Sequence, residues 1–580
     1  MSTANIMAAV TELRAASSLT ASSLAPNNSR SSKYQPRTLS LQTSKPGTMH
    51  MHSRLSIKAV ALPHKLAPNS QSDHGTKRLE QVKRSSRETL LNSSDPLVTL
   101  KMIDTIQRLG IGHHVEDEIN VLLKRIQGWD APKDLFSTSL HFRLLRHNGL
   151  PTCSDVFKRF LDKSGNFKES LTTDIWGMLS LYEASYLGAE GEEVLKKAMD
   201  FSRAHLSQLI PHLGPEVGKQ ISRALTLPRH LRMAQLEAMN YMEEYSHASN
   251  RVPAFLEMAK LDFDMLQSLH QRELAEISRW WKELGLVDRL GFARDRPAEC
   301  FLWTVGTFPE PRYSNCRMEL TKTICILLVM DDIFDTYGTL DELVLFTEAI
   351  KRWDLDAMEQ LPEYMKICYM ALYNTTHEIA YRIQKEHGLT VVGHLKRTWM
   401  DIFEAFLEEA KWFNSGYVPN FRAYLDNGVI SAGSYMAFVH ATFLIGDGLS
   451  KETISMMKPY PRLFSCSGEI LRLWDDLGTS KEEQERGDNA CSIQCLMREN
   501  NNNISDENEA RKHIRLLIGK LWRELNGLSM TTTTLPSSIV KASFNMARTA
   551  QVIYQHGDDE STFTVDDYVQ TLLFTSLPSY

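Results

Sequence analysis

The stretch DPLVTLKMIDTIQRLGIGHHVEDEINVLLKRIQ, residues 95–127, shows the pattern that decides the fold. Its apolar residues recur three and four positions apart, and charged residues fill the positions between them. This spacing is typical of amphipathic helices. The same pattern continues through most of the chain, whereas the alternation typical of strands is scarce. We therefore expect an all-α protein whose helices are separated by breaks that contain Gly and Pro.

The length of the chain and one polar link indicate two helical domains. At 580 residues the chain is long enough for more than one domain. An Arg-rich segment, WKELGLVDRLGFARDRPAEC at residues 281–300, separates two helical halves. We predict an N-terminal helical domain at residues 73–285 and a second helical domain at residues 286–580.

Charge and cysteine content exclude several classes of function. The net charge is −6, which gives no sign of a nucleic-acid partner. No apolar run approaches the roughly 18 residues of a membrane span, so we expect no membrane partner. The eight cysteines are scattered without a CxxC pair. They indicate reduced thiols and neither a disulfide framework nor a structural zinc site.

The N-terminus has a different composition from the rest of the chain. Residues 1–72 contain eight Lys or Arg and one acidic residue, Glu12, and they are rich in Ser. They lack a continuous apolar segment of the kind found in secretory signals. This composition is typical of an organelle transit peptide, and it predicts a plastid address. A disordered tail without an address, and hence a cytoplasmic protein, is the alternative.

A cluster of aspartates follows a long apolar run in LLVMDDIFDTYG, residues 327–338. If residues 324–335 form one helix, Asp331 and Asp335 share a face and Asp332 is turned away by about 100°. Crowded carboxylates favour a compensating cation, and oxygen ligands suit Mg²⁺ or Mn²⁺. A solvated surface cluster is the ordinary alternative. The next segment, TLDE at residues 339–342, predicts a capping box.

The same aspartates also raise the possibility of phosphoryl transfer of the haloacid dehalogenase type. That chemistry uses a D-x-D-x-T motif, in which a single residue separates the two aspartates. Here two residues separate Asp332 from Asp335. The spacing therefore argues against this class of enzyme.

A second acidic segment occurs in LRLWDDLGTSKEEQERGD, residues 471–488. Asp475, Thr479 and Glu483 are spaced four residues apart, so a helix would align them as a second oxygen-only cation site. Gly478 within this segment allows close approach of a ligand or of another part of the backbone. An ordinary charged helix face is the alternative interpretation.

Two acidic helices that face each other would repel unless cations and an anion lie between them. A diphosphate with divalent ions meets this requirement. Arginine side chains are suited to bind it, because the guanidinium group offers paired donors to phosphate oxygens. The candidates are Arg294 and Arg296 in RDR, and Arg472 before the second acidic segment.

The motifs taken together resemble those of plant class I terpene synthases. The chain carries, in that family's order, RDR, DDIFD, EAKW (residues 409–412), DDLGTSKEE and YQHGD (residues 554–558). The resemblance covers roughly residues 75–580. It implies an N-terminal α-barrel-like domain and a C-terminal class I bundle, and ionisation of a prenyl diphosphate with Mg²⁺ or Mn²⁺, three ions per site. It also implies a monomer.

The resemblance assigns roles to the candidate residues. Asp332 would support the catalytic aspartates, and the arginines would hold the diphosphate together with Asp331, Asp335 and Asp475. The implied metal ligands are Asp331, Asp335, Asp475, Thr479 and Glu483. The candidates for the apolar wall around the cation are Trp303, Phe334, Tyr337 and Tyr554, which offer cation-π contacts. The segment DNGVISAGSYMAF, residues 426–438, resembles the family's kinked helix.

Departures from the family pattern bear on the product. The Arg-Arg-x8-Trp element of many cyclic monoterpene synthases is absent: this region reads KRSSRE, and the first tryptophan is Trp129. Members without the element often make acyclic alcohols such as linalool or nerolidol. Cys491 occupies a position at which many relatives have a phosphate-binding lysine. Asp559 and Glu560 follow YQHGD in place of the more usual glycine and aromatic residue.

We therefore expect a plastid-directed class I terpene synthase that converts geranyl diphosphate into linalool by water capture, and farnesyl diphosphate into nerolidol if the pocket is long enough. The alternatives are an acyclic olefin synthase that makes myrcene or ocimene, a cyclic monoterpene synthase and a noncatalytic helical paralogue. A chain-elongating transferase would carry a second DDxxD in place of Asp475, Thr479 and Glu483. The chain has no DxDD motif, which argues against protonation-initiated cyclisation.

Overall fold

A computed structural model describes residues 71–485, 490–499, 504, 506–532, 534–556 and 564–577, without the side chains of residues 71–74 and 482–483. The predicted leader therefore lies almost wholly outside the described residues. Residues 557–563, which include Asp559 and Glu560 of the predicted altered closing loop, also lie outside them. Within the described part the secondary structure is helical, apart from one isolated bridge between Leu161 and Phe167. The predicted all-α fold is confirmed.

Several helices of the N-terminal half begin at Asp or Pro. Asp95, for example, accepts a hydrogen bond from the backbone of Val98 and caps a helix whose first residue is Pro96. The helices are α1 (Gln71–Leu91), α2 (Pro96–Arg108), α3 (Glu116–Ile126), α4 (Leu135–His147), α5 (Ile175–Ser185), α6 (Glu193–Leu209), α7 (Pro215–Thr226) and α8 (Ala234–Ser246).

The long helix α9 (Pro253–Leu284) leads into the C-terminal half and ends at Gly285, whose φ is +66°. The helices that follow are α10 (Leu286–Arg289), α11 (Pro297–Thr307), α12 (Ser314–Asp332), α13 (Leu340–Arg352), α14 (Glu363–His387), α15 (Val392–Ser415), α16 (Phe421–Ser431), α17 (Ser434–Ile445), α18 (Lys451–Ser455), α19 (Arg462–Glu485), α20 (Ser492–Glu499), α21 (Glu507–Thr531), α22 (Ser537–Tyr554) and α23 (Val565–Leu573).

Apolar residues form separate cores in the two halves. One N-terminal core gathers α1–α4 around residues such as Leu100, and another gathers α4–α7 around Tyr182. The C-terminal cores surround α12 and α15 on one side and α19 and α22 on the other. A further cluster, which includes Leu274, Phe301 and Leu572, joins α9 to α11 and α23. These cores hold the helices that carry the acidic segments.

A buried ion pair fixes α12 against α9. Arg317 of α12 is fully buried and donates from Nε and Nη2 to the carboxylate of Glu273, at 2.9 and 2.7 Å. Its Nη1 donates to the carbonyl oxygens of Phe308 and Glu310. The buried guanidinium therefore has both a counter-ion and carbonyl partners, which a charge inside a protein requires.

The apolar segment Phe421–Ile445 is broken into two helices. By length and composition it could cross a membrane, contrary to the sequence expectation, but 78% of its apolar window is buried inside the protein. Helix α16 ends at Ser431 and α17 begins at Ser434, with Gly433 between them at a φ of +74°. The break lies in the segment that was predicted to be kinked. A Cβ at Gly433 would lie 2.6 Å from Leu327 Cδ2.

We predict that Gly433→Ala destabilises the protein by about 1–3 kcal/mol, because it combines a left-handed backbone with a contact against Leu327. Chemical unfolding monitored by circular dichroism measures the change. The matched control is Gly519→Ala in α21, where no atom lies within 4 Å of the added Cβ. This control should be neutral or stabilising by up to about 1 kcal/mol. Equal losses in the two variants would contradict the analysis.

Candidate active site

The first acidic segment changes from an α-helix to a π-helical turn. Helix α12 ends at Asp332, and residues Ile333–Tyr337 form a π-helical turn that closes with a 2.8 Å hydrogen bond from Gly338 N to Ile333 O. The prediction of one α-helix through residue 335 is therefore wrong. A π turn holds more residues than an α turn, so Asp335 is not one α turn from Asp331. The predicted capping box of Thr339 and Glu342 is present at the start of α13.

Arg294 holds the two leading aspartates together. Its Nη2 lies 2.5 Å from Asp331 Oδ2, and its Nε lies 2.5 Å from Asp332 Oδ1. Its backbone N–H also donates to Asp332 Oδ2 at 2.9 Å. Burial alone would lower the pKa of Arg294, but the aspartates raise it. By contrast, Arg296 is exposed and directly precedes α11. Burial raises the pKa of Glu299, and the charge of Arg296 opposes this rise.

The second acidic segment lies on α19, as predicted. Asp475 and Thr479 are one turn apart, and Thr479 Oγ1 donates to the Asp475 carbonyl at 2.9 Å. The side chain of Glu483 lies outside the described residues. The pKa of Asp475 is raised to about 6: burial raises it most, Asp476 and Asp331 add to the rise, and Arg472 and a hydrogen bond from Tyr554 oppose it.

Gly478 allows Tyr554 to approach Asp475. A Cβ at Gly478 would lie 2.9 Å from the Tyr554 carbonyl oxygen and 3.0 Å from its Cβ. The sequence prediction that this glycine permits close approach of another part of the backbone is therefore confirmed. The contact brings α22 against α19 and puts the Tyr554 side chain next to the second acidic segment.

Asp476 is a structural partner that the sequence reasoning missed. It is fully buried and accepts hydrogen bonds from Tyr424 Oη at 2.8 Å and from Ser492 N at 3.0 Å. Arg472 Nε lies 3.2 Å from its Oδ1 and donates to Tyr424 Oη at 2.9 Å. Asp476 thus fixes the guanidinium, while the adjacent Asp475 faces the acidic site. Nothing in the sequence distinguishes the roles of these two neighbouring aspartates.

Arg472 also depends on a glycine in α16. A Cβ at Gly428 would lie 2.9 Å from Arg472 Cγ and 3.1 Å from its Nε. No other residue leaves room for the arginine at this position without a shift. Burial would lower the pKa of Arg472, but Tyr424, Asp476 and the neighbouring carboxylates raise it well above its ordinary value. The group is therefore a permanent cation inside the site.

Glu409 is a partly buried carboxyl group that both acidic segments influence. Its Oε1 accepts hydrogen bonds from Asn427 Nδ2 at 3.0 Å and from Ser431 Oγ at 2.8 Å, both in α16. Burial raises its pKa; Arg472 opposes this and Asp331 adds to it. Arg472 of the second acidic segment and Asp331 of the first therefore both act on the carboxyl group of Glu409. The sequence offered Glu409 only as part of EAKW, without a role.

The side chains that converge here fit divalent cations. Asp331 and Asp475 approach from different helices, and the charge of Asp331 adds to the rise that burial causes in the pKa of Asp475. The donor atoms are carboxylate and hydroxyl oxygens, which hard divalent ions prefer. Because like charges this close disfavour ionisation, a cation between them is the favourable arrangement. The residues present therefore fit the predicted ions.

The four predicted wall aromatics are in different surroundings. Trp303 and Tyr554 pack together with ring centroids 6.0 Å apart, beside the second acidic segment. Phe334 lies in the core against Phe346, Phe403 and Phe406.

Tyr337 departs from the predicted wall. Its side chain is 53% exposed, and it stacks on Phe292 with ring centroids 4.0 Å apart. The π turn carries it to the outside of the helix end. Cys491 is buried, and its Sγ contacts the side-chain oxygen of Gln494.

We predict opposite effects for the two adjacent aspartates of α19. Asp476→Asn should lower the free energy of unfolding by about 2–4 kcal/mol, because it weakens a buried partner of Arg472 and sets an amide N–H against Ser492 N–H. Asp475→Asn should retain the stability and weaken Mn²⁺ binding about ten- to hundredfold. Chemical unfolding and calorimetric Mn²⁺ titration measure these changes. Matching stability losses would contradict the division of roles.

Comparison with known proteins agrees with this geometry. The profile "Terpene synthase family, metal binding domain" matches residues 282–524, and "Terpene synthase, N-terminal domain" matches residues 54–225. The N-terminal match begins inside the predicted leader. A chloroplastic monoterpene synthase of Cananga odorata is 58% identical, with 89% of this chain and 86% of the relative covered.

Two relatives from Ocimum basilicum have named products. A chloroplastic geraniol synthase is 50% identical, with 89% of this chain and 93% of the relative covered. A chloroplastic R-linalool synthase is 48% identical, with 87% and 88% covered.

A solved structure shares the fold. Isoprene synthase from grey poplar (Populus x canescens), in complex with three Mg²⁺ ions and dimethylallyl-S-thiolodiphosphate, superposes with a TM-score of 0.82 at 36% identity. The match covers 87% of this chain and 98% of that structure. The all-α fold, the two acidic helices and these matches lead to one conclusion: the chain belongs to the terpene synthase family and is a metal-using lyase that acts on a prenyl diphosphate.

Proposed function

We propose that this enzyme ionises geranyl diphosphate and captures the allylic cation with water to give linalool. The observation that carries the proposal is the convergence of Asp331, Asp475 and Arg472 around one partly buried position next to Glu409. The missing Arg-Arg-x8-Trp element favours an acyclic product. Three relatives are named as a monoterpene synthase, a geraniol synthase and an R-linalool synthase, and these names support geranyl diphosphate as the substrate.

The arginines supply binding and charge stabilisation. Arg294 and Arg472 present planar donors that match phosphate oxygens, and both keep their charge when buried. They would bind the diphosphate and stabilise the negative charge that develops as its bond to carbon breaks. Their present partners, Asp331 and Asp476, hold them in position before the substrate binds.

The acidic side chains would hold the ions. The proposed ligands are Asp331, Asp335, Asp475, Thr479 and Glu483, for three Mg²⁺ or Mn²⁺ ions. When bound, these ions add positive charge at the leaving diphosphate. Asp332 supports the site through its contacts with Arg294.

Aromatic side chains stabilise the cation that remains. Trp303 and Tyr554 pack beside Asp475 and offer π faces to an allylic cation. Water then adds to the tertiary carbon and loses one proton, so that geranyl diphosphate and water give linalool and diphosphate. A longer pocket would accept farnesyl diphosphate and give nerolidol. A monomer without a membrane or nucleic-acid partner is sufficient for this chemistry.

Geraniol is a second candidate product, because a relative named geraniol synthase is 50% identical. In that case water adds to the primary carbon of the same cation. The two products require the same metal ligands and arginines, so they differ only in the carbon atom to which water adds.

We predict that the purified enzyme, given geranyl diphosphate in H₂¹⁸O, releases mainly one enantiomer of labelled linalool. Chiral gas chromatography with mass spectrometry measures product, label and enantiomeric excess. EDTA should abolish turnover, and Mg²⁺ or Mn²⁺ should restore it. Asp331→Ala serves as the inactive control.

Each other outcome has a definite meaning. Labelled geraniol would replace linalool with the second candidate. Unlabelled myrcene or ocimene would contradict water capture, and a mostly cyclic mixture would contradict the acyclic assignment. Turnover that persists without divalent ions would contradict the proposed ionisation.

We further propose that residues 1–72 direct the protein to plastids. Their composition and the chloroplastic labels of the relatives support this address. We predict that a fluorescent protein fused after residue 72 accumulates in plastids of leaf cells, as confocal microscopy would show. The matched control, a fusion that begins at residue 73, should stay in the cytoplasm. Cytoplasmic fluorescence from both would contradict the address and favour farnesyl diphosphate.

A further inference from the structure

Two histidines and an aspartate meet at a place that includes none of the residues of the two acidic segments. His113 and His114 belong to a short 3-10 turn, Gly112–His114, between α2 and α3, and Asp262 lies in α9. One ligand atom from each side chain lies within 4.8 Å of the others. The three side chains are 15%, 13% and 10% exposed. The cluster thus joins a turn of the N-terminal half to the long helix α9.

Both imidazoles face the same carboxylate oxygen of Asp262. His114 Nε2 lies 2.7 Å from Asp262 Oδ1, and His113 Nε2 lies 3.4 Å from the same atom. The other ring nitrogen of His113, Nδ1, contacts the carbonyl oxygen of Gly110 at 3.2 Å. A proton on Nδ1 makes this hydrogen bond, so Nε2 is the ring nitrogen that faces the carboxylate.

One buried polar atom of the cluster lacks a well-formed hydrogen bond. His113 Nε2 is buried and has no hydrogen-bond partner of good geometry. A buried polar atom in this state costs free energy, so a native protein usually provides a partner. In metal sites, a ligating histidine commonly donates its other N–H to a backbone carbonyl, which is the role Gly110 could fill.

We propose that His113, His114 and Asp262 form a binding site for a divalent transition-metal ion, of which Zn²⁺ is the representative. Two imidazole nitrogens with one carboxylate oxygen are a ligand set that Zn²⁺ accepts, with a water completing the coordination. Binding requires Nε2 of His114 to give up the proton that it now shares with Asp262. The ion would link the turn after α2 to α9.

A neighbouring cavity provides access to the site. The cavity has a volume of about 620 Å³, and its lining includes His113 and Asp262. Its charged lining is mixed, because Glu116 and Glu310 stand together with Lys124, Arg146, Lys541 and Arg548. This site differs in chemistry from the oxygen ligands of Asp331 and Asp475, since imidazole favours transition metals over Mg²⁺.

The test is a calorimetric Zn²⁺ titration of the purified protein in excess Mg²⁺, which occupies the oxygen sites. We expect one Zn²⁺ equivalent that the double variant His113→Gln/His114→Gln binds at least about tenfold more weakly. The matched control is His205→Gln, because His205 lies near Glu169 on the surface. The control should bind Zn²⁺ like the parent. Equal Zn²⁺ binding by the parent and the double variant would overturn the proposal.

A second measurement needs no variant and therefore does not depend on how a variant folds. Diethyl pyrocarbonate modifies unliganded imidazoles, and mass spectrometry locates the modified residues. Zn²⁺ in excess Mg²⁺ should protect His113 and His114 and leave His205 reactive. Co²⁺ in place of Zn²⁺ should give a visible absorption band that the double variant lacks. Unprotected His113 and His114, or the same band in both proteins, would assign the cluster to a structural ion pair only.

Discussion

Mutual repulsion between carboxylates is the constraint on which the active site depends. Asp331 and Asp475 approach from two different helices, and their burial and proximity raise the pKa of Asp475. Arg294 and Arg472 offset this repulsion, one on each side. Each arginine has a second anchor on its own side, a backbone carbonyl for Arg294 and the hydroxyl of Tyr424 for Arg472. The site is therefore preorganised by fixed charges before ions and substrate arrive.

Glycines determine how closely the helices around these charges can pack. Gly428 leaves room for the side chain of Arg472, and Gly478 leaves room for Tyr554. Gly433 permits the left-handed turn between α16 and α17 and packs against Leu327, just before the first aspartates. In each case a Cβ would lie within 3 Å of a neighbour. The three glycines occur in the two segments that the sequence singled out for their chemistry.

The N-terminal half is bound to the catalytic half through α9. Its Glu273 forms the buried ion pair with Arg317, at the start of the helix that carries Asp331. Earlier in the same helix, Asp262 contacts His114 of the N-terminal half. A single helix therefore connects the candidate histidine site to the helix of the acidic cluster. The connection is mechanical, through packed helices, and the two sites use different ligand chemistry.

Local patterns in the sequence were sufficient for much of the structure. The helical repeat predicted the all-α fold, because an amphipathic helix repeats its apolar face every three to four residues. The capping box at Thr339 and the helical alignment of Asp475 with Thr479 follow from the same short-range geometry. The break near Gly433 was expected from the resemblance of this segment to the family's kinked helix. The motif set identified the family, although it left the product open.

The remaining features were decided by the tertiary structure. The π turn at residues 333–337 follows α12 directly, where the sequence analysis assumed one helix of regular α geometry. Asp476 and Asp475 are the same residue type side by side, and only the contact with Tyr424, 52 residues away, separates their roles. His114 meets Asp262 across 148 residues. The sequence by itself determined which residue types and helical faces were available, because those depend on short-range periodicity. Which side chains meet depended on long-range packing, and no local pattern encodes it.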